Sequence, residues 1–248
     1  MIKIAVNGAA GRMGSRILAL AGQSGVYKIS GAFDAGKNFS KLSADTLKKA
    51  GQGILIDFSS PSGVQASLLA AKKAGWGLVI GTTGLEENIQ NALRSASKGT
   101  PIVCSSNMSV GVNLVLELLD LIVRKLPKDF NIEITEAHHR HKKDAPSGTA
   151  LMLAAAIAKA KNWDLKKVLK YRTEGKAGER SQEEIGMQVI RAGEIVGDHT
   201  VLFAGPSETI EITHHAQSRD TFARGALLAA VFLSKKTKGL YTMKDVLA

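Results

Sequence analysis

Cysteine is nearly absent: the 248-residue chain has one, Cys104, which excludes an internal disulfide and a multi-cysteine zinc site together. Cys104 closes the apolar run Ile102-Val103-Cys104 and reads as a buried structural thiol. Long apolar runs are missing as well, since Glu, Asp or Lys breaks each one short of the roughly 18 to 20 residues of a membrane span. Met1-Ile2-Lys3-Ile4-Ala5-Val6 reads directly as a strand and not as a charged leader with a cleavage site. A cytoplasmic protein with no membrane partner is expected. Prolines number five and aromatics are 5%, against 44% hydrophobic and 22% charged residues, the profile of an ordinary globular protein. Scarce aromatics also argue against a nucleic-acid partner for a chain of formal net charge +11. Its basic residues are dispersed, with acids interleaved from Glu174 to Glu184. A solvated basic surface with an anion-binding cleft accounts for the charge.

Glycine, by contrast, is present at set spacings. After the strand Lys3 to Val6 comes Asn7-Gly8-Ala9-Ala10-Gly11-Arg12-Met13-Gly14, a GxxGxxG variant of the dinucleotide fingerprint with Ala9 where a glycine usually stands. Such glycines let the backbone turn tightly and approach a pyrophosphate, which rests on the amides and positive dipole end of the following helix. Arg12 adds a cation at that helix start. The next strand, Tyr27 to Phe33, ends in Asp34, 20 residues beyond Gly14, where a carboxylate can take the adenosine ribose hydroxyls. Asp34 is followed by Ala35 and by no adjacent arginine, so a 2′-phosphate is repelled and the expected cofactor, NADH or NADPH, tilts to NADH. Lys37 and Lys41 soften that tilt.

Strand patterns recur at Ile54 to Phe58, Gly77 to Ile80 and Pro101 to Cys104, with helices at Pro61 to Gly75 and Glu86 to Ser97. This alternation predicts an α/β fold with a Rossmann-type, doubly wound parallel sheet. Ligands bind at the carboxyl ends of such strands, so Gly81-Thr82-Thr83-Gly84 and Ser105-Ser106-Asn107 are expected to line the cofactor cleft with Gly8 to Gly14.

The organisation then changes. Val110 to Lys125 is an amphipathic helix closed by Pro127, and Phe130 to Glu136 alternates like a half-buried strand. That strand is expected to hand over to a loop, His138 to Lys142, before Asp144-Ala145-Pro146-Ser147-Gly148-Thr149 opens the helix Ala150 to Lys161. Amides and hydroxyls of Ser147, Gly148 and Thr149 at a helix start suit a carboxylate, with His138, His139 and Lys142 able to face it. Tyr171 to Ile185 is too long for a simple connection and reads as a mobile or inter-subunit loop. Met187 to Ala192, Ile195 to Phe203 and Thr209 to His214 read as antiparallel strands, and Thr221 to Ser234 as a helix docking on the first domain. The expected division is a dinucleotide-binding domain, 1–108 with 219–248, and an α+β domain with a mixed or antiparallel sheet, 109–218, for substrate binding and oligomerisation. Sheet faces left open by one helix layer point to a homo-oligomer.

Three of the six histidines fall in Glu136-Ala137-His138-His139-Arg140-His141-Lys142-Lys143. As a metal site the cluster lacks carboxylates other than Glu136 and any HExxH spacing, and its lysines oppose a cation; no metal is expected. Imidazole can pass a proton near neutral pH and a lysine can neutralise developing negative charge.

This stretch, with Asp144-Ala145-Pro146-Ser147-Gly148-Thr149-Ala150, Gly81-Thr82-Thr83-Gly84, Ser109-Val110-Gly111-Val112-Asn113 and Arg191-Ala192-Gly193-Glu194-Ile195-Val196-Gly197, resembles the 4-hydroxy-tetrahydrodipicolinate reductase (dihydrodipicolinate reductase) family over nearly the whole chain. The resemblance implies hydride transfer from NADH or NADPH to a cyclic imine dicarboxylate, formed from 4-hydroxy-tetrahydrodipicolinate via dihydrodipicolinate. The product is tetrahydrodipicolinate, on the diaminopimelate route to lysine. It implies His138 as catalytic acid/base and Lys142 as proton donor or carboxylate partner. His139, Gly148 and Thr149 would hold the substrate, with Ser147 nearby. Gly8, Ala9, Ala10, Gly11, Arg12, Met13, Asp34, Gly81, Thr82, Thr83, Ser105, Ser106, Asn107 and Met108 would hold the cofactor. A homotetramer built through the second domain is also implied. Ala35 departs from members with arginine there, and Ser105, Ser106 and Met108 from those with Ala, Ala and Phe. Two other readings are a semialdehyde dehydrogenase with Cys104 as nucleophile, and a basic nucleic-acid-binding or nucleotide-sensing protein.

Overall fold

A computed structural model describes residues 1–36, 38–171 and 178–248. In chain order the first elements are β1 (Ile2–Asn7), α1 (Arg12–Gln23), β2 (Tyr27–Phe33), α2 (Ala44–Ala50), β3 (Ile54–Asp57), α3 (Pro61–Ala74), β4 (Gly77–Ile80), α4 (Glu87–Ala96), β5 (Pro101–Cys104) and α5 (Val110–Lys125). There follow β6 (Asn131–His138), α6 (Gly148–Lys161), α7 (Leu165–Val168), β7 (Leu169–Tyr171), β8 (Ile185–Arg191), β9 (Asp198–Ala204), β10 (Thr209–His215), α8 (Asp220–Leu233), β11 (Gly239–Tyr241) and α9 (Met243–Leu247). The chain divides into two compact units, Met1–Val110 with Arg219–Ala248, and Gly111–Ser218.

The first unit holds a six-stranded sheet in the order β11-β5-β4-β3-β1-β2, parallel at every pairing. Its central strands are apolar at consecutive positions because helices cover both faces. Ile4, Val6, Ile56 and Val103 share a cluster with Ile17 of α1 and Ala226 of α8. Leu55, Leu78 and Ile80 on the other face meet Val64 of α3 and Leu93 of α4. Local chemistry sets the limits of α3: the Ser60 hydroxyl accepts from the Gly63 amide, Pro61 fills the first turn, and Gly75 ends the helix in the left-handed conformation (φ 70°). The three-residue β11 has no strand pattern in the sequence; it forms because β5 offers it an edge.

The second unit holds a mixed sheet, β10-β9-β6-β8-β7. Ile132, Ile134, Val201 and Phe203 on one face pack on Leu119 of α5 and on Leu153 and Ile157 of α6. Two expectations need correction. First, β6 continues through His138, so this residue ends a strand instead of starting a loop. Second, β8, the first of the three strands expected to be antiparallel, runs parallel to both β6 and β7, while β9 and β10 are antiparallel.

Parallel neighbours cannot be joined by a tight turn, which accounts for the length of the 171–185 connection through topology. Residues 172–177 of that stretch, and Lys37, lie outside the described residues. Arg180 ties the rest of the connection to the sheet, its guanidinium donating to Glu133 Oε1 at 3.1 Å, Asn131 Oδ1 at 2.8 Å and the Ile132 carbonyl at 2.9 Å. Among the described residues no helix is long and apolar enough to cross a membrane.

Candidate active site

In the first unit the glycine loop leaves the carboxyl end of β1, as the motif requires. Gly8 has φ 84°, and a Cβ there would lie 2.4 Å from the Phe58 carbonyl oxygen. A Cβ on Gly14 would lie 2.1 Å from the carbonyl oxygen of Gly8, so strand end, loop and α1 touch backbone to backbone. Ala9 is buried and supplies a core methyl where a glycine usually stands.

The loop amides are largely spent internally: Gly8 and Ala9 N–H both donate to the Phe33 carbonyl at 3.0 Å. Ala10 N–H donates to Asp34 Oδ2 at 3.0 Å, and Gly36 N–H to Asp34 Oδ1 at 3.1 Å. Asp34 therefore fastens the loop to β2, a role the spacing did not reveal. Gly11 caps α1 without a side-chain acceptor, which leaves the first-turn amides of Arg12, Met13 and Gly14 as the anion-facing end. Arg12 is exposed and Met13 half-buried against the core. Gly8, Gly11, Asp34, Ala35, Ser59 and Ser60 border a cavity of about 450 Å³.

The neighbouring strand ends are held together by one buried carboxylate. Asp57, fully buried at the end of β3, accepts from Asn7 Nδ2 at 2.9 Å, Ser67 Oγ at 2.5 Å, Thr82 Oγ1 at 2.6 Å and Ser59 Oγ at 2.8 Å. The Thr82 hydroxyl is thus occupied, and what Gly81, Thr82 and Thr83 can offer a nucleotide is mainly backbone. Thr82, Thr83, Cys104, Ser106, Leu240 and Tyr241 border a second cavity of about 410 Å³. Ser105 Oγ donates to the Asn107 carbonyl at 2.8 Å, and Asn107 Oδ1 accepts from Ser109 N–H at 2.8 Å. The Met108 side chain is buried in the core. Burial pushes the Cys104 thiol up, away from the thiolate that a nucleophilic cysteine needs.

In the second unit the histidine cluster is organised by Glu136, which is fully buried. Its Oε1 accepts from Ser147 N–H at 2.9 Å and from Arg191 at 2.8 Å, while its Oε2 accepts from Arg191 at 2.8 Å and meets His138 Nδ1 at 2.6 Å. Burial would raise this carboxyl, but the Arg191 fork, His138 and the Ser147 amide outweigh it and hold it below the usual carboxylate range. His138 is lowered by burial first; Glu136 opposes that, while the nearby Lys142 and Arg191 charges reinforce it. Lys142 is clamped by Asp144, at 2.9 and 2.8 Å to its two oxygens. Ser147 caps α6 by accepting from Ala150 N–H at 3.2 Å, and its hydroxyl meets His199 Nε2 at 2.9 Å. Gly148 is exposed and Thr149 half-buried at the same helix start. His139 Nδ1 is buried with no hydrogen-bond partner among the described residues.

Of the site residues expected from sequence, His138 and Ser147 thus gather around Glu136, with Lys142, held by Asp144, near enough for its charge to act on His138, and with Gly148 and Thr149 beside Ser147. The structure adds Glu136, Arg191 and His199. Glu136 and His138 lie two apart on one strand, hence on one face, a signal readable once β6 is extended to His138. Arg191 lies opposite His138 across β6 and β8, and His199 opposite Glu136 across β6 and β9; neither register is written in the local sequence.

His199 carries a pH dependence. Burial first, and then the His138 charge, depress its ring from the ordinary 6.5 to about 4. Between those values the unfolded chain binds a proton that the folded chain refuses. The stability from a neutral His199 is therefore complete above pH 6.5 and is lost as pH falls towards 4, on the order of 3 kcal/mol in all. Urea unfolding of the wild type should weaken across this window more steeply than that of a His199→Gln variant. Parallel curves for the two proteins would refute this.

The family model described as dihydrodipicolinate reductase, N-terminus, matches residues 2–108, and that described as dihydrodipicolinate reductase, C-terminus, matches residues 111–247. The chain is 45% identical over 262 residues to 4-hydroxy-tetrahydrodipicolinate reductase of Nitrosomonas europaea, covering 99% of this chain and 98% of that protein. Among solved structures it is similar to dipicolinate-bound dihydrodipicolinate reductase from Paenisporosarcina sp. TG-14, with a TM-score of 0.77 and 21% identity over 98% of this chain and 97% of that one. A DAP dehydrogenase of C. glutamicum in complex with DAP is similar at a TM-score of 0.57 and 12% identity, over 100% and 95% of the two chains. These two likenesses concern the fold. With both family models in place along the chain and a 45%-identical relative matched almost end to end, the chain belongs to the dihydrodipicolinate reductase family.

Proposed function

We propose that this protein is the reductase that converts 4-hydroxy-tetrahydrodipicolinate, via dihydrodipicolinate, to tetrahydrodipicolinate with NADH or NADPH. The observation that carries the reading is the buried Glu136, which fixes His138 beside the start of α6 and is itself bonded to the amide of Ser147. The bound nicotinamide nucleotide supplies the hydride. In the first unit, the α1 start at Arg12 and Met13 takes the pyrophosphate, the cavity bordered by Gly8, Gly11 and Asp34 takes the adenosine, and backbone at 81–83 and 105–108 takes the nicotinamide end. In the second unit, a dicarboxylate is held at the α6 start by Gly148 and Thr149, by His139 and by Lys142, because helix-start dipoles and cations both favour carboxylates; the Ser147 amide is already given to Glu136 and shapes the site from behind. His138 Nε2 handles the proton that the reduced ring must collect, with Lys142 supplying positive charge. We further propose a homotetramer assembled through the second unit, whose β8 leaves Val189 and Ile190 exposed; sedimentation as a monomer at micromolar concentration would exclude it.

The test is the loss of nucleotide absorbance when the chain meets freshly made aldolase product of pyruvate and aspartate semialdehyde. Oxidation of both nucleotides is expected, with the lower KM for NADH, because Asp34 and Ala35 share the adenosine cavity and a carboxylate there repels a 2′-phosphate. No oxidation of either nucleotide would end the reductase reading, and a lower KM for NADPH would end the NADH tilt.

A further inference from the structure

We infer that Glu136 is a positioning residue for the reaction: its buried carboxylate fixes both the orientation of the His138 ring and the proton on Nδ1, so that Nε2 stands bare beside Gly197. The inference rests on the reductase reading of His138 given above. Both oxygens of Glu136 are engaged by the Arg191 fork at 2.8 Å, and an ionised carboxylate can only accept. At the 2.6 Å contact the imidazole Nδ1 must therefore donate. A neutral ring has one N–H, so its Nε2 keeps a lone pair that can take up a proton from solvent, and the imidazolium so formed delivers that proton from Nε2 to the reduced ring.

The ring cannot turn away. Its carboxylate partner is anchored to the α6 start through Ser147 N–H and to β8 through Arg191. Arg191 also donates to the Asp144 carbonyl at 2.7 Å, which joins the turn carrying Lys142 to the same network. The other side of the ring rests edge to face on His199, centroid to centroid 5.2 Å.

Gly197 completes the arrangement. A Cβ at this position would lie 3.0 Å from His138 Nε2 and 3.4 Å from Cδ2, while its backbone lies outside the left-handed region where glycine is favoured. The glycine is accounted for by the room it leaves at the reacting nitrogen.

Glu136→Gln tests this. The amide keeps the shape of the carboxylate but can donate to Nδ1, which moves the imidazole proton to Nε2. The expected result is a fall in kcat of about 100-fold, in the direction of the loss a wrong imidazole tautomer causes in serine-protease triads, with nucleotide affinity within about twofold of wild type. Imidazole 15N spectra should show His138 protonated on Nδ1 in the wild type and on Nε2 in the variant. Gly197→Ala leaves the carboxylate network intact; it should lower kcat about tenfold, by crowding Nε2, and keep the wild-type tautomer. Wild-type kcat in a folded Glu136→Gln protein, or a wild-type His138 with its proton on Nε2, overturns the inference. If Glu136→Gln does not fold, wild-type kcat in Gly197→Ala overturns it. A wild-type chain inactive on the substrate overturns the reductase reading instead, and the 15N spectra still decide the role of Glu136.

Discussion

Replacing His138 with Gln is expected to lower kcat by about 100- to 10,000-fold, the range a positioned acid/base contributes, while the nucleotide dissociation constant stays within about twofold of wild type. Gln is a selective probe, because its amide can still donate to Glu136 Oε2 where His138 Nδ1 now sits, at 2.6 Å. The buried carboxylate is then not left with one contact fewer, and the loss reports the missing Nε2. Burial lowers the His138 ring, with Lys142 and Arg191 adding to it against Glu136. If the imidazolium is the proton donor, kcat in the wild type falls as pH rises through this depressed value. Turnover close to wild type in His138→Gln would hand the proton to another group, with Lys142 the next to test.

Asp57→Ala is expected to cost about 3 kcal/mol or more of stability and to weaken nucleotide binding about tenfold. The methyl group would strand the Asn7 amide and the hydroxyls of Ser59, Ser67 and Thr82, which all converge on this fully buried carboxylate. Each buried donor left unsatisfied costs about 1 to 3 kcal/mol, and some of them will find one another. The binding loss has a geometric cause. Asn7 precedes the glycine loop, Ser59 borders the cavity beside Gly8 and Asp34, and Thr82 belongs to the strand end beyond β4, so Asp57 is the common anchor of three segments proposed to hold the nucleotide. Asp57→Asn, which keeps one acceptor, should be intermediate. Unfolding within about 0.5 kcal/mol of wild type in Asp57→Ala would show that the network adds nothing net.

The sequence was most legible where structure is local. Pro61 and Gly75 bracket α3 because one pre-sets a helical φ and the other tolerates a left-handed one; the apolar run Ile54-Leu55-Ile56 became a central strand because nothing polar interrupts it. The glycine spacing points to a tight loop after β1, yet the capture of the Gly8 and Ala9 amides by the Phe33 carbonyl depends on how two strands end side by side. Glu136 was harder to place, since a glutamate is buried only when paired and its main partner, Arg191, comes from another strand. His199 offered no local signal at all: its importance is a matter of register between β6 and β9. The apolar–polar alternation of the sequence ends at Glu136, yet β6 runs on through His138 with Ala137 and His138 both buried.

The way the first unit is closed also sets the timing of its assembly. Its sheet is completed by β11 and its α1 face by α8, both from residues that follow the whole second unit. On the ribosome, where segments emerge in order, β5 waits with an open edge and Ile17, Leu20 and Ala21 wait without Ala223 and Ala226. The Arg16 fork on Asp220, at 2.7 and 2.8 Å, and the Tyr27 hydroxyl on the Leu227 carbonyl, at 3.2 Å, can form only then. Contacts this distant in sequence are slow to form. The first unit is therefore drafted first and finished last, with the second unit free to fold in between.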